Sequence, residues 1–341
     1  MRLSDFDYEL PSDLIAQQPL AERDASRMLV VDRATQTWTD GHFRDFASYP
    51  QPNDVVVVNN SRVIPARLKG KREETGGQVE IFLVRELEPK VWEALVRPGG
   101  RLKRGAKVSF NKSSFIAEIM DEPGAELRQV RFYCEASFEE LLREVGSTPL
   151  PPYIKRISDE DRERYQTVYS KHRGAIAAPT AGLHFTPAVL AEIETRAALA
   201  EVTLHVGYGT FEPVRVDDVD QHSVSAERFE ISESAAAKIN DARQRRGRII
   251  VVGTTTMRAL ESSATDEGVI IAGRGEAKLT IKPGYRFRAA DALLTNFHLP
   301  QSSLLILVSA FAGRELVLRA YHHAVKDRYR FYSYGDCMLI L

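Results

Sequence analysis

Two cysteines, Cys134 and Cys337, are all that the 341 residues carry. A pair so widely separated supports neither a disulfide framework nor a cysteine zinc site. An excess of charge of one sign is missing too. The 46 Lys+Arg nearly match the 47 Asp+Glu, leaving a formal charge of −1, so no overall basic surplus marks a dedicated nucleic-acid binder. No apolar run approaches the roughly 20 residues of a membrane span; the longest, 304–312, is interrupted by Ser309. The start, MRLSDFDYEL, is acidic and lacks a basic segment ahead of an apolar stretch, so no secretory leader is expected and a cytoplasmic location is. With 43% hydrophobic and 27% charged residues the chain reads as globular rather than disordered. Its length predicts about two domains.

The texture changes twice along the chain. A turn at 52–54 precedes four valines at 55–58, a short buried strand, and a helical turn opened by Ser12 is expected over 11–18. From about 66 to 135, β-rich pieces at 78–84, 91–96, 107–110, 115–120 and 129–134 are separated by Gly76-Gly77, Pro98-Gly99-Gly100 and Glu122-Pro123-Gly124. Short strands at such spacing indicate an antiparallel barrel or sandwich, with a helix expected only at 138–145. Thr148-Pro149-Leu150-Pro151-Pro152 is a stiff boundary. Beyond it, strands at 200–206, 248–252, 292–295 and 337–341 alternate with helices at 187–197, 233–244, 257–263, 303–312 and 314–325. That alternation predicts a layered α/β domain with a parallel or mixed sheet. The 55–58 strand can join this sheet, which makes 1–62 with 150–341 one discontinuous α/β domain and 63–149 an insertion.

Two local clusters break the even charge balance. Residues 97–107 hold Arg97, Arg101, Lys103, Arg104 and Lys107 without an acid, and 238–248 hold Lys238, Arg243, Arg245, Arg246 and Arg248 against Asp241. Each reads either as a solvated face or as a set of phosphate contacts. Four loops then follow predicted strands or precede predicted helices. Thr180, Gly182 and His184 lie just ahead of Thr186-Pro187, an N-cap followed by proline at the first helical position. His205, Gly207, Gly209 and Thr210 end the second loop. It is not a dinucleotide fingerprint, because Glu212 stands where the third glycine belongs, and a nicotinamide dehydrogenase is disfavoured. Gly253, Thr254, Thr255 and Arg258 open a helix able to receive a carboxylate or nucleotide, without a Walker lysine. Asn296 and His298 sit among apolar neighbours in the fourth. Capped helices with satisfied histidines are the plain alternative for each loop, but four in one domain point to a shared cleft.

These same segments resemble a known family. PPYI at 151–154, YQTVY at 165–169, AAPTAGLHFT at 177–186, VTLHVGYGTF at 202–211, VGTTTMRALES at 252–262, TNFHLPQSSLLILVSAFAG at 295–313 and YRFYSYGD at 329–336 look like the S-adenosylmethionine:tRNA ribosyltransferase-isomerases of queuosine biosynthesis. FDYELPSDLIAQQPLAERDASRM at 6–28, NNSRVIPARL at 59–68 and TGGQVEIFL at 75–83 carry the match through the N-terminal half. Two stretches depart from the family pattern. The His-x-Met-His-x-Glu run reads His222-Ser223-Val224-Ser225-Ala226-Glu227, and Ala277 and Thr280 replace the usual residues before Pro283-Gly284. An inactive relative that binds tRNA or S-adenosylmethionine without turnover is the competing reading, and these departures are its only support.

The resemblance implies an α/β domain joined to an inserted antiparallel β-barrel. It also implies transfer and isomerisation of the ribosyl part of S-adenosylmethionine onto an aminomethyl-deazaguanine at the tRNA wobble position. Epoxyqueuosine in tRNA, adenine and methionine are the implied products. No cofactor and no metal are implied, S-adenosylmethionine is consumed, and a monomer is expected. Proton transfer at the carbon beside the sulfonium and at the departing adenine suits groups titrating near neutrality. His184, His205 and His298 are the catalytic candidates, with Glu261 and Asp336 behind them. Thr254, Thr255 and Arg258 are expected to hold the methionine carboxylate. Gly182, Gly207 and Gly209 would close on the nucleoside, with Thr180, Thr210 and Asn296 beside them. Arg62, Arg67, Lys155 and Arg156, with the rings of Tyr153 and Tyr165, are expected to meet a splayed anticodon loop.

Overall fold

The computed structural model describes residues 1–110, 115–135, 137–151, 153–154, 161–207, 209 and 213–341. Its contacts divide the chain into two compact units, Met1–Arg62 with Pro152–His172 and Ala178–Leu341, and Val63–Pro151 with Arg173–Ala177.

In the larger unit, Val55–Asn59, Ile249–Val252 and Ala292–Asn296 are buried along their whole length. Continuous aliphatic runs of this kind suit a parallel sheet covered on both faces. With Ala198–Leu204 they form the parallel heart of a sheet of nine strands among the described residues, in the order 198–204, 55–59, 249–252, 292–296. Cys337–Ile340 pairs antiparallel with Ala292–Asn296 and parallel with Arg27–Asp32, and Thr37–His42 closes that edge. Glu227–Ile231 and Gly273–Ala277 extend the other edge antiparallel, which makes the sheet mixed as expected.

Side chains alternate across such a sheet. Val56, Val58, Ile250, Val252, Leu294 and Leu339 share a core with Phe43, Phe46, Phe185, Val189 and Ile193 on one face. Val55, Val57, Ile249, Val251 and Leu293 are equally buried and face the other way, towards the helices Glu233–Gln244 and Thr254–Ser263. The helix Pro187–Glu194 has the predicted start, Thr186 accepting from the Val189 amide at 3.2 Å. The turn expected over 11–18 shrinks to a 3-10 turn, Ser12–Leu14, with Pro11 rather than Ser12 at its cap position. No helix among the described residues is long and apolar enough to cross a membrane.

The smaller unit is a closed antiparallel barrel. Arg67–Arg72, Gln78–Glu88, Val91–Arg97, Arg128–Tyr133, Ile116–Ile119 and Lys107–Ser109 pair in that order, and Lys107–Ser109 returns to Arg67–Arg72. Closure depends on Gly70, where a Cβ would lie 2.6 Å from Val108 Cγ1 and 2.7 Å from the Ser109 carbonyl. The helix Phe138–Val145 begins with a reciprocal capping box between Ser137 and Glu140.

Candidate functional site

The strand Val55–Asn59 lies between two strands that come later in the chain. They are reached through Pro187–Glu194 on one face of the sheet and Glu233–Gln244 on the other. Such a reversal opens a crevice beyond the carboxyl ends of the strands. Asn59 ties those ends together. Its amide donates to the Leu204 carbonyl at 2.9 Å and to Thr255 Oγ1 at 3.4 Å, and its carbonyl accepts from the Leu204 and Ser61 amides. At Gly253 φ is +87°, which admits the tight turn from strand into helix. A Cβ there would meet Ala181, so the 3-10 segment Thr180–His184 abuts this turn.

His184 is buried on that segment, its Nδ1 2.9 Å from Ser26 Oγ and its ring centroid 5.3 Å from that of Phe43. Burial pushes its pKa down to about 4, and the Arg330 and Arg23 cations act in the same direction, while Asn296 beside it favours the protonated ring. The imidazole is therefore neutral near pH 7. Buried polar atoms almost always find a partner. Here Thr167 Oγ1, the Tyr169 hydroxyl, His184 Nε2, Asn296 Oδ1 and Arg330 Nη1 are all buried without a hydrogen bond of normal geometry. Gly182 makes room for two of them, since a Cβ would sit 2.0 Å from the Tyr169 hydroxyl and 2.8 Å from Thr167 Cγ2. The arrangement gathers buried polar atoms with unspent hydrogen-bonding capacity around His184.

The structure brings together three of the expected residues, Gly182, His184 and Asn296, and adds Ser26, Thr167, Tyr169, Arg23 and Arg330. Nothing in the spacing singled these out, because Ser26 is 158 positions from its partner. Orphaned atoms are visible only after folding. Thr254 is buried in the first helical turn, Thr180 is half-buried at the start of the 3-10 segment, and Thr255 is held by Asn59. His205 follows the strand Ala198–Leu204 at the same edge, its Nδ1 also unpartnered and its pKa lowered by burial and by His172. Gly207 donates its amide to Glu227 at 2.9 Å.

Several expectations need correction. Arg258 is not available as a fork for a carboxylate. Its guanidinium pairs with buried Glu227 and donates to the carbonyls of Ser225, Ala277 and Leu279. Glu261 is fully buried and accepts from the Tyr285 hydroxyl and the amides of Arg288, Ala289 and Ala290, so it pins a loop instead of moving protons. His298 is a satisfied core histidine. Its Nε2 lies 2.8 Å from Thr295 Oγ1, and burial takes its pKa down to about 3. Asp336 is a clamp accepting from the amides of Arg27 and Arg330, and burial raises its pKa. Tyr165 is completely buried against Tyr334 and offers no face to a base. Tyr153 is half-buried, its ring 4.3 Å from that of Tyr332 and its hydroxyl accepting from the Ser333 amide. Arg62 pairs with Glu163, and Arg67 lies in the barrel unit beside Glu80. Lys155, Arg156 and Thr210 lie outside the described residues.

Four of the five cations at 238–248 are spent on structure, Arg248 on Asp54, Arg245 on Asp241, Arg243 on the carbonyls of Arg288 and Ala289, and Lys238 on that of Leu199, while Arg246 is exposed. In the barrel unit, Arg97, Lys103, Arg104 and Lys107 remain exposed. The two departing stretches meet in space. Val224 donates its amide to Thr280 Oγ1 at 3.1 Å, and Ser225 and Ala277 serve Arg258 through their carbonyls. Since a carbonyl is independent of its side chain, Ser225 and Ala277 preserve that part of the architecture whatever residue stands there. Gly209, His222 and Glu227 line the same small cleft.

One group of the described residues has metal-ligand geometry. Asp40, His323 and Asp327 offer ligand atoms within 4.8 Å of one another. Arg27 at 3.4 Å and the Tyr329 hydroxyl at 2.5 Å already engage Asp40.

A family model described as queuosine biosynthesis protein matches residues 3–340. The S-adenosylmethionine:tRNA ribosyltransferase-isomerase of Natranaerobius thermophilus is 49% identical over 342 aligned positions, covering 100% of this chain and 99% of that protein. The protein of the same name from Clostridioides difficile is 48% identical with 100% of both chains covered. The crystal structure of S-adenosylmethionine tRNA ribosyltransferase from Thermotoga maritima is similar with a TM-score of 0.56 at 37% identity, over 99% of this chain and 100% of that one. With its α/β sheet, closed barrel and end-to-end match, the chain belongs to the queuosine biosynthesis protein family, whose relatives named above are tRNA ribosyltransferases.

Proposed function

We propose that the chain transfers and isomerises the ribosyl moiety of S-adenosylmethionine onto an aminomethyl-deazaguanine at the tRNA wobble position, releasing adenine and methionine and leaving epoxyqueuosine in the tRNA. The carrying observation is the set of orphaned polar atoms around His184 at the carboxyl edge of the parallel strands. Full-length similarity to enzymes named for this reaction supplies the substrate class. General acid-base chemistry by side chains drives the steps, with no metal assigned a part.

His184 is the base in this reading. A neutral imidazole whose Nδ1 meets a serine hydroxyl and whose Nε2 makes no hydrogen bond of normal geometry can take the proton acidified by the adjacent sulfonium. The Ser26 hydroxyl fixes the ring's orientation, and Asn296 steadies the imidazolium as it forms. The Tyr169 hydroxyl and Thr167 Oγ1 are donors placed to meet the nucleoside, with Gly182 letting the backbone approach it. Exposed Arg97, Lys103, Arg104 and Lys107 are candidates for the RNA backbone.

The test is adenine release from S-adenosylmethionine with and without tRNA carrying the aminomethyl-deazaguanine. Adenine formed only with the modified tRNA, together with transfer of ribosyl label to it, supports the reading. Binding of tRNA without adenine from a folded protein refutes it in favour of a binding module.

A further inference from the structure

Loss of Arg258 to an internal ion pair leaves the substrate's carboxylate without its expected cation. Near His184 the situation is the reverse, with two cations, Arg23 and Arg330, that make no close ion pair among the described residues. The main chain brings them there. Asp336 accepts from the amides of both Arg27 and Arg330, and Ser26, one residue before Arg27, meets His184. Arg23 donates to the carbonyl of Leu183, immediately before His184, and to that of Glu163. Arg330 spends Nη2 on the Gln18 carbonyl, and its Nη1 is buried without a partner. Neither guanidinium lies within 4 Å of a carboxylate among the described residues; Arg62 takes Glu163. Asp336 acts on Arg330 and Glu163 on Arg23 from beyond ion-pair distance, so the buried Nη1 of Arg330 keeps a hydrogen bond to give to an anion.

We infer that Arg330, whose Nη1 is buried without a partner, is the carboxylate-binding subsite for the amino-acid end of S-adenosylmethionine, with the Arg23 charge also reaching the His184 site. The inference rests on the proposed function. A small-molecule carboxylate fits better than an RNA phosphate, because the vacant Nη1 is buried and a polynucleotide backbone cannot follow a side chain into the interior.

The discriminating probe is decarboxylated S-adenosylmethionine, compared with S-adenosylmethionine in adenine release at saturating modified tRNA. Charge-assisted guanidinium–carboxylate bonds correspond to about 10–100-fold in affinity. The wild-type protein is expected to prefer the carboxylated substrate in kcat/KM by at least that factor. Arg330→Met should raise the KM for S-adenosylmethionine by about 10–100-fold, leave the decarboxylated substrate nearly unaffected, and so erase the preference. Arg330→Lys keeps the charge but loses the planar fork, so it should retain part of the preference and decides the matter if the methionine variant does not fold. Equal losses for both substrates, or a loss confined to tRNA affinity and its salt dependence, overturn the assignment. A wild-type protein that releases adenine but ignores the carboxylate refutes this inference alone; one that releases none refutes the proposed function and the subsite with it.

Discussion

Replacing Arg258 by methionine separates two roles that predict opposite outcomes. As a substrate fork, Arg258 could be lost with little effect on folding and a large effect on KM. In the structure it is a strut. Its guanidinium pairs with Glu227, itself buried, and donates to the Ser225 carbonyl at 3.0 Å, the Ala277 carbonyl at 2.6 Å and the Leu279 carbonyl at 3.2 Å. Arg258→Met removes all of these and leaves a buried carboxylate without its cation. Breaking one side of such a pair costs about 3–5 kcal/mol, a large part of the roughly 5–15 kcal/mol that holds a domain together. With a urea dependence near 3 kcal/mol per molar, the unfolding midpoint should fall by about 1–1.7 M. The double variant Arg258→Met, Glu227→Met should recover part of the loss, because neither charge is then stranded. Urea unfolding followed by fluorescence, with adenine release measured on the same preparations, provides the assay. A midpoint within about 0.3 M of wild type, combined with a rise of tenfold or more in KM for S-adenosylmethionine, would refute the structural role.

Other outcomes follow from the same geometry. His184→Gln should keep the unfolding midpoint near wild type and lower kcat for adenine release by about 10²–10⁴, the usual worth of a positioned base; unchanged turnover removes His184 from the reaction. Gly182→Ala drives a methyl into the Tyr169 hydroxyl and Thr167, so it should cost about 1–3 kcal/mol and reduce adenine release, while wild-type behaviour in both would mean this packing is looser than drawn. Folded His184 and His298 titrate at about 4 and about 3, well below the unfolded value near 6.5, so the unfolded chain takes up protons first. The stabilisation is complete above pH 6.5 and declines as the pH falls towards 4, by up to about 1.4 kcal/mol per pH unit for each histidine. His298→Gln should therefore flatten the fall in urea midpoint between pH 6.5 and 4.5, and an unchanged slope would contradict a buried neutral ring.

Much of the architecture was legible before folding because it depends on local pattern. The valine run at 55–58, the Thr186-Pro187 cap and the short strands between glycine turns each express a periodicity or a backbone preference carried by neighbouring residues. The strand Gly273–Ala277 escaped notice because it exists through its sheet partner more than through its own composition, whereas Arg27–Asp32, with its Met-Leu-Val-Val run, and Glu227–Ile231, which alternates buried and exposed residues, are too short to stand out on pattern alone. Chemistry-bearing residue types in the loops were legible too, and the motif matches named the family. What the sequence could not assign was occupation. Arg258, Glu261 and His298 have side chains suited to a site, yet folding delivers buried partners that consume them. Arg23, Ser26, Tyr169 and Arg330 look ordinary in sequence, and they acquire meaning because strand ends distant in the chain converge on His184. A hydrogen-bonding group is functional or structural according to whether the fold leaves it a vacancy, and only the three-dimensional arrangement decides which donors and acceptors are already taken.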